Sequence, residues 1–267
     1  EKPGLQVATP YDFDADGRPY PSFFPHNRSA AAAGSQLILT ARDAGRWLRV
    51  MLDEGRIDGG RLVSEQGYAE LVRPQARIPG AEVGRDANGP DAWYGLGWIV
   101  GPLGDVPTIS HGGAAITMGS QFILVPRERL AVAVLANSVS EVTGAVAEGV
   151  MNLALGRQPS RSFPRVDRTV QPDRALWPRL AGTYHAQTRQ NKVMGPWPIR
   201  LDGDRLYVRT YPGDSRRRPG DIFLFPLGET RFVLFGRGRT GGLVSFEIDG
   251  DAVRATWEGV PIVKASQ

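Results

Sequence analysis

The tripeptide His111-Gly112-Gly113, set between two segments that read as strands, is the strongest candidate for chemistry in this 267-residue chain. An imidazole holds or passes a proton near neutral pH, and glycines beside it let another molecule approach the backbone closely. The same three residues also suit a turn or a core position. Zero cysteines exclude disulfides, thiolate metal sites and cysteine nucleophiles together. His26 and His185 are isolated and have no ligand partners at metal spacing, so neither a metal nor a cofactor is expected. Asp12, Asp14 and Asp16 alternate with Phe13 and Ala15 ahead of Gly17, faintly like a calcium loop. The twelfth position of such a loop is Phe23 where glutamate is required, so a polar loop near a cleft is expected.

Strands and helices must hold that tripeptide in place. Thr40 precedes apolar Ala44, Trp47, Leu48, Met51 and Leu52, a helical spacing, with Asp43 completing a near capping box and Gly55 as the stop. A second helix is predicted from Ser64 to Val72, ended by Pro74. Tyr94–Val100, Pro107–His111, Gln121–Val125 and Leu130–Ala136 read as strands, the last two joined by the charged turn 126–129. Ala131–Ala136 has no polar face, which predicts burial on both sides. Glu141 opens a helix to Leu155, with Val142, Ala145, Val146, Val150 and Leu153 as its packing stripe and Gly156 as its end.

The rhythm changes after Pro159, Pro164 and Pro172, which mark a linker. Residues 1–156, 157–175 and 176–267 are expected as a first domain, a linker and a second domain. Beyond Leu180 short strands alternate with turns. Asp202-Gly203 separates Ile199–Leu201 from Leu206–Val208, and Asp249-Gly250-Asp251 separates Phe246–Ile248 from Val253–Ala255. Both are hairpin signals. Together with Ile222–Phe225 and Phe232–Phe235 they predict an antiparallel barrel or sandwich of about eight strands. Trp177, Trp197, Trp257, Tyr184 and Tyr207 are its expected core.

A hydrophobic content of 41% is that of a globular protein, and no run of about 18 apolar residues could span a membrane. The net charge of +4 hides an asymmetry, with 13 basic and 17 acidic residues in 1–155 against 19 and 11 in 156–267. Only Arg216-Arg217-Arg218 clusters, in a Gly-, Pro- and Asp-rich stretch, so a solvated loop is expected and nucleic-acid binding is not. The start Glu1-Lys2-Pro3-Gly4 lacks the features of a signal peptide.

Five motifs recur in an order that resembles the serine β-lactamase-related family, which includes class C β-lactamases, DD-peptidases and family VIII esterases. They are Ala32-Ala33-Gly34-Ser35 with Thr40-Ala41-Arg42-Asp43, Gly60-Arg61-Leu62-Val63-Ser64, Tyr94-Gly95-Leu96-Gly97-Trp98, His111-Gly112-Gly113, and Pro126-Arg127 with Leu135-Ala136-Asn137. The resemblance is to the C-terminal half of the catalytic domain. It implies an α+β fold, an antiparallel sheet with flanking helices. Gly182-Thr183-Tyr184, the 201–206 turn, Phe246 and Val253 resemble the lipocalin-like β-barrel often appended to this family, a separate all-β antiparallel unit.

In this family a serine, activated by a lysine one helical turn later, forms an acyl-enzyme, and a tyrosine of a Tyr-x-Asn motif assists proton transfer. The resemblance makes His111, Gly112 and Gly113 the third active-site motif and the backbone N–H of Ala114 one oxyanion-hole donor. Histidine in place of lysine tilts the expectation toward esterase- or amidase-like use. Tyr94–Trp98 is expected to be structural. Only Lys2, Lys192 and Lys264 exist, and none follows a serine by three residues, because Arg189 and Pro261 occupy two of those positions. No tyrosine of the seven is followed two residues later by asparagine. The expectation is therefore a serine hydrolase whose Ser-x-x-Lys and Tyr-x-Asn motifs lie on an N-terminal segment outside this chain, either because the chain is a fragment or because it is a processed subunit with that segment as a second polypeptide. The other expectation is a protein that has lost that half. The rival expectation is a non-catalytic binding or assembly protein on the same scaffold. A small-molecule or peptide substrate, possible homo-oligomerisation and a periplasmic or secreted location accompany the enzyme reading.

Overall fold

Thr40 starts the first helix by reciprocal capping: its Oγ1 accepts from the Asp43 amide at 3.2 Å, and Asp43 Oδ2 accepts from the Thr40 amide at 3.1 Å. In the computed structural model the described residues are 6–14, 16–22, 37–78, 91–115, 118–138, 140, 142–159, 169–187, 193–210, 220–236, 241–257 and 260–265. The expectations placed on His26, Ala32–Ser35 and Arg216–Arg218, and on most of the linker, fall outside these residues.

A small hairpin comes first, β1 (Tyr11–Phe13) and β2 (Pro19–Pro21), followed by α1 (Ala41–Leu52), β3 (Arg56–Ile57), β4 (Gly60–Arg61) and α2 (Glu65–Leu71). Helix α1 ends where the Gly55 amide, at φ +89°, turns back to Val50 O at 2.8 Å. Ser64 caps α2 by accepting from the Gly67 amide. Then come β5 (Ala76–Ile78), β6 (Ala92–Tyr94), β7 (Ile99–Leu103), β8 (Val106–Ala115), β9 (Met118–Val125), β10 (Leu130–Ala136) and α3 (Val142–Ala154). Six of these strands form one antiparallel sheet in the order β10-β9-β8-β7-β6-β5.

Alternate residues of the sheet serve its two faces. Ile109 and Leu124 join Leu48 and Met51 of α1 and Trp98, while Ile123 and Val125 join Ala147 and Met151 of α3. Helices therefore cover both faces. Strand β10 lies between α1 and α3 yet is the sheet edge, so its residues are only half-buried and Leu135 is exposed. The expected full burial of that apolar run is corrected accordingly. The packing stripe predicted for α3 is corrected as well. Its buried face is Thr143, Gly144, Ala145, Ala147, Met151 and Asn152, and Val146, Val150 and Leu153 are exposed, the last at 60%. Small side chains let the helix lie close on the sheet, and periodicity alone cannot tell which of two apolar faces does so.

Predicted strand Tyr94–Val100 is two strands. Gly95, Leu96, Gly97 and Trp98 form the turn between β6 and β7, with Gly97 at φ +78° and the Gly95 amide donating to Trp98 O at 2.7 Å. A Cβ on Gly95 would stand 2.5 Å from Leu71 O, so the turn is seated against the end of α2.

After α4 (Trp177–Leu180), strands β11 (Gly182–Gln187), β12 (Val193–Asp202), β13 (Arg205–Thr210), β14 (Gly220–Pro226), β15 (Arg231–Phe235), β16 (Leu243–Asp249), β17 (Ala252–Trp257) and β18 (Val260–Lys264) form a closed barrel. Closure comes from Tyr184↔Lys264 and His185↔Val263, which leave no sheet edge. Both predicted hairpins are present, as β12–β13 and β16–β17. Trp177, Tyr184, Phe232, Phe246 and Trp257 fill the interior with aliphatic neighbours, and Trp197 stacks on Trp257 at 5.6 Å. Tyr207 is not part of that core. It alternates with buried Leu206 and Val208 and so lies on the other face of β13.

The hairpin β1–β2 replaces the expected polar loop and touches both larger units. The Tyr11 amide donates to Asn137 O at 2.7 Å, just past β10, while Phe13 packs on Phe235 and Asp16 pairs with Arg205 of the barrel. Its carboxylates do not converge: Asp14 Oδ1 accepts from the amides of Asp16 and Arg18, and Asp12 Oδ1 from that of Phe13. Among the described residues no helix is long and apolar enough to cross a membrane.

Candidate active site

Strand β8 carries the four sequence-predicted site residues in succession, His111 opposite Phe122, Gly112 opposite Gln121, Gly113 opposite Ser120 and Ala114 opposite Gly119. His111 is half-buried, and Gly112, Gly113 and Ala114 are exposed. The imidazole is thus not sealed in an interior. A Cβ on Gly112 would come within 2.8 Å of Gln121 Oε1, and one on Gly113 would overlap Ser120 Oγ. The glycines therefore also accommodate the neighbouring strand β9.

The decisive feature is where β7 stops. Its pairing with β8 runs from Leu103↔Val106 to Ile99↔Ser110 and no further, so from His111 to Ala115 the only paired strand among the described residues is β9. The pair closing the two-residue turn Gly104–Asp105 is a hydrogen-bonded one, and antiparallel ladders alternate. Val106, Thr108 and Ser110 therefore turn their amides toward β7. By the same alternation Gly112 and Ala114 turn theirs toward the side beyond the end of β7. Two backbone donors thus line an exposed strand edge, with an imidazole one residue before the first.

A residue expected to be merely structural joins them. Tyr94, the last residue of β6, brings its hydroxyl to 2.7 Å from His111 Nε2, with the rings edge-on at 5.8 Å between centroids. Its position follows from the turn after it. Trp98 is buried against Leu48, Met51, Ile109 and Leu124, the Leu96 amide donates to Leu71 O, and the Gln75 amide donates to Tyr94 O. These contacts hold the end of β6 over that of β8.

The Beta-lactamase family profile matches residues 3–155, which contain α1–α3 and the six-stranded sheet. The chain belongs to the beta-lactamase family. Among curated beta-lactamase relatives, Penicillin-binding protein 4 of Amycolatopsis lactamdurans is 28% identical over 185 residues, covering 66% of this chain and 45% of its own length. Among solved structures, the octameric penicillin-binding protein homologue from Pyrococcus abyssi matches with a TM-score of 0.46 and 20% identity, over 98% of this chain and 54% of that one. SurE matches with a TM-score of 0.35 and 18% identity, over 99% and 58%. The chain spans about half the length of these relatives.

Within this beta-lactamase-family sheet, Tyr94 is the residue that sequence reasoning missed. Its motif read as one strand, but Tyr94 ends β6 and a turn follows, and that turn with the neighbouring strand end brings its hydroxyl to His111. Lys264, the one lysine among the described residues, belongs to the barrel, where Nζ donates to Arg179 O at 2.8 Å. Burial, with Arg179 nearby, lowers its pKa from the usual lysine range. His185 lies in β11 with Nδ1 buried and without a partner among the described residues.

Proposed function

We infer that this chain forms one wall of a serine hydrolase active site that cleaves an ester, amide or peptide bond through an acyl-enzyme. The observation that carries this reading is the exposed His111–Ala114 edge beyond the end of β7. On it the amide of Ala114 faces outward, as an oxyanion donor requires. A carbonyl laid along that edge would meet the Ala114 N–H at its oxygen and the imidazole of His111 beside it. Each oxyanion donor contributes roughly 3–4 kcal/mol to such a reaction.

The attacking serine, its lysine and the assisting tyrosine come in this reading from polypeptide outside these 267 residues. Support comes from the absence of any Ser-x-x-Lys or Tyr-x-Asn in the sequence. More than half of the curated relative's length lies outside the match, which leaves room for such a segment. Substrates are small molecules or peptides. Histidine lacks the constant charge of a lysine, which favours ester or amide substrates over obligatory anions.

Treating the full-length gene product with a fluorophosphonate or penicillin probe tests the assignment. We expect a covalent tag on a serine outside this chain, and none on the chain by itself. Tagging of the isolated chain would overturn the division of labour. A full-length product that stays unlabelled would overturn the hydrolase and leave a binding or assembly role on the same scaffold.

A further inference from the structure

We propose that Tyr94 is a positioning residue that fixes the tautomer of His111, so that the imidazole keeps its proton on Nδ1 and presents it as a hydrogen-bond donor. The argument begins with the hydroxyl. Tyr94 OH lies 2.7 Å from His111 Nε2, and this is the only hydrogen bond of that hydroxyl among the described residues. A phenol has one proton to donate, and among the described residues Nε2 is its one acceptor. A hydroxyl that donates to Nε2 requires that nitrogen to be unprotonated, which puts the ring proton of neutral His111 on Nδ1. A free neutral imidazole prefers the opposite tautomer, so the phenol reverses the choice.

Among the described residues nothing engages Nδ1. It makes no hydrogen bond to the described residues, and it is not among the buried polar atoms without partners. Phe122 is the residue paired with His111 on β9, and among the described residues no ion pair involves the ring. A phenolic oxygen can also accept. If His111 gains a second proton, Nε2–H donates to Tyr94 and Nδ1–H is unchanged. The pair therefore keeps a donor at Nδ1 in both protonation states, at a position where a lone histidine would switch between accepting and donating. The edge-on packing of the rings, at 80° between planes, holds the imidazole in one orientation.

The donor's use in turnover rests on the serine-hydrolase reading; the tautomer does not. The two are tested separately. In the 267-residue chain labelled with 15N-histidine, long-range 1H–15N correlation reads the tautomer of each imidazole, with His111 assigned by its loss in His111→Asn. We expect the Nδ1–H form for His111, and a shift toward the Nε2–H form in Tyr94→Phe, which removes only the hydroxyl of a residue that is 37% exposed. An Nε2–H form in the unsubstituted chain, or no shift on substitution, would overturn the proposal. In the full-length product with a p-nitrophenyl ester, Tyr94→Phe and His111→Asn should each lower kcat/KM by on the order of tenfold, the scale of one hydrogen bond. The double variant should lose no more than either alone, because Tyr94 acts through His111. Additive losses would sink the positioning role. A full-length product with no hydrolysis at all would sink the hydrolase reading and leave the tautomer result standing.

Discussion

Gly113 is constrained by the neighbouring strand: its amide turns toward β9, and a Cβ there would overlap Ser120 Oγ. Gly112 meets the far end of a longer and more adaptable side chain, Gln121. Overpacking costs about 1–3 kcal/mol where a neighbour cannot yield and less where it can. Gly113→Ala is therefore expected to destabilise more than Gly112→Ala. Adding Ser120→Ala should restore most of the loss, because it removes the atom in the way. Urea denaturation midpoints of the three variants check the order, and equal losses at both glycines would contradict it. A functional consequence follows at the same scale, since a side chain at either position would crowd the edge that Ala114 shares.

Helix α1 covers the Ile109–Leu124 face of the sheet with Leu48 and Met51, so its N-terminal cap supports the strand pair that carries the site. Thr40 and Asp43 satisfy each other's backbone donors, and this hydrogen bonding holds the Asp43 carboxyl below its ordinary pKa. Thr40→Ala is expected to cost about 1 kcal/mol, while Thr40→Ser retains most of the cap. Thermal unfolding compares the two, and identical midpoints would remove the cap from the account. The turn between β6 and β7 teaches a different lesson at this scale. Alternating Tyr, Leu and Trp with glycines read as one extended strand, but Gly97 sits at positive φ and Gly95 is seated on Leu71 O. A local pattern does not report a seat supplied by a helix more than twenty residues upstream.

At the scale of the molecule, the sheet and the barrel are built on different cores, and the hairpin β1–β2 touches both. The barrel closes over an aromatic interior in which Tyr184 is 0% exposed and donates from its hydroxyl to Leu180 O at 2.8 Å, tying α4 to β11. Burial pushes the Tyr184 phenol up from 10 to about 12. The neutral form is thus favoured by folding. Its contribution is complete below pH 10, the unfolded value, and declines as pH rises from about 10 toward about 12. Chemical denaturation at pH 9 and pH 11.5 should show this loss, and Tyr184→Phe should show less of it while being less stable at pH 9. An unchanged pH dependence in the variant would assign the loss elsewhere. The exposed Val146, Val150 and Leu153 of α3 form the apolar face that the sheet leaves uncovered.

Much of this protein was legible in order along the chain. The α1 cap, the β12–β13 and β16–β17 hairpins and the exact span of β10 all follow from local rules, because caps, turns and alternation act over a few residues, whereas the strand read as ending at His111 runs on through Gly112 and Gly113 to Ala115. Membership of the beta-lactamase family was readable from five short motifs for the same reason. What tertiary structure alone decided is which apolar face of α3 meets the sheet, that β10 is an edge, where β7 ends beside β8, and that Tyr94 reaches His111. Each of these depends on residues far apart in sequence coming together, and pattern along one segment carries no information about the partner that will lie across it.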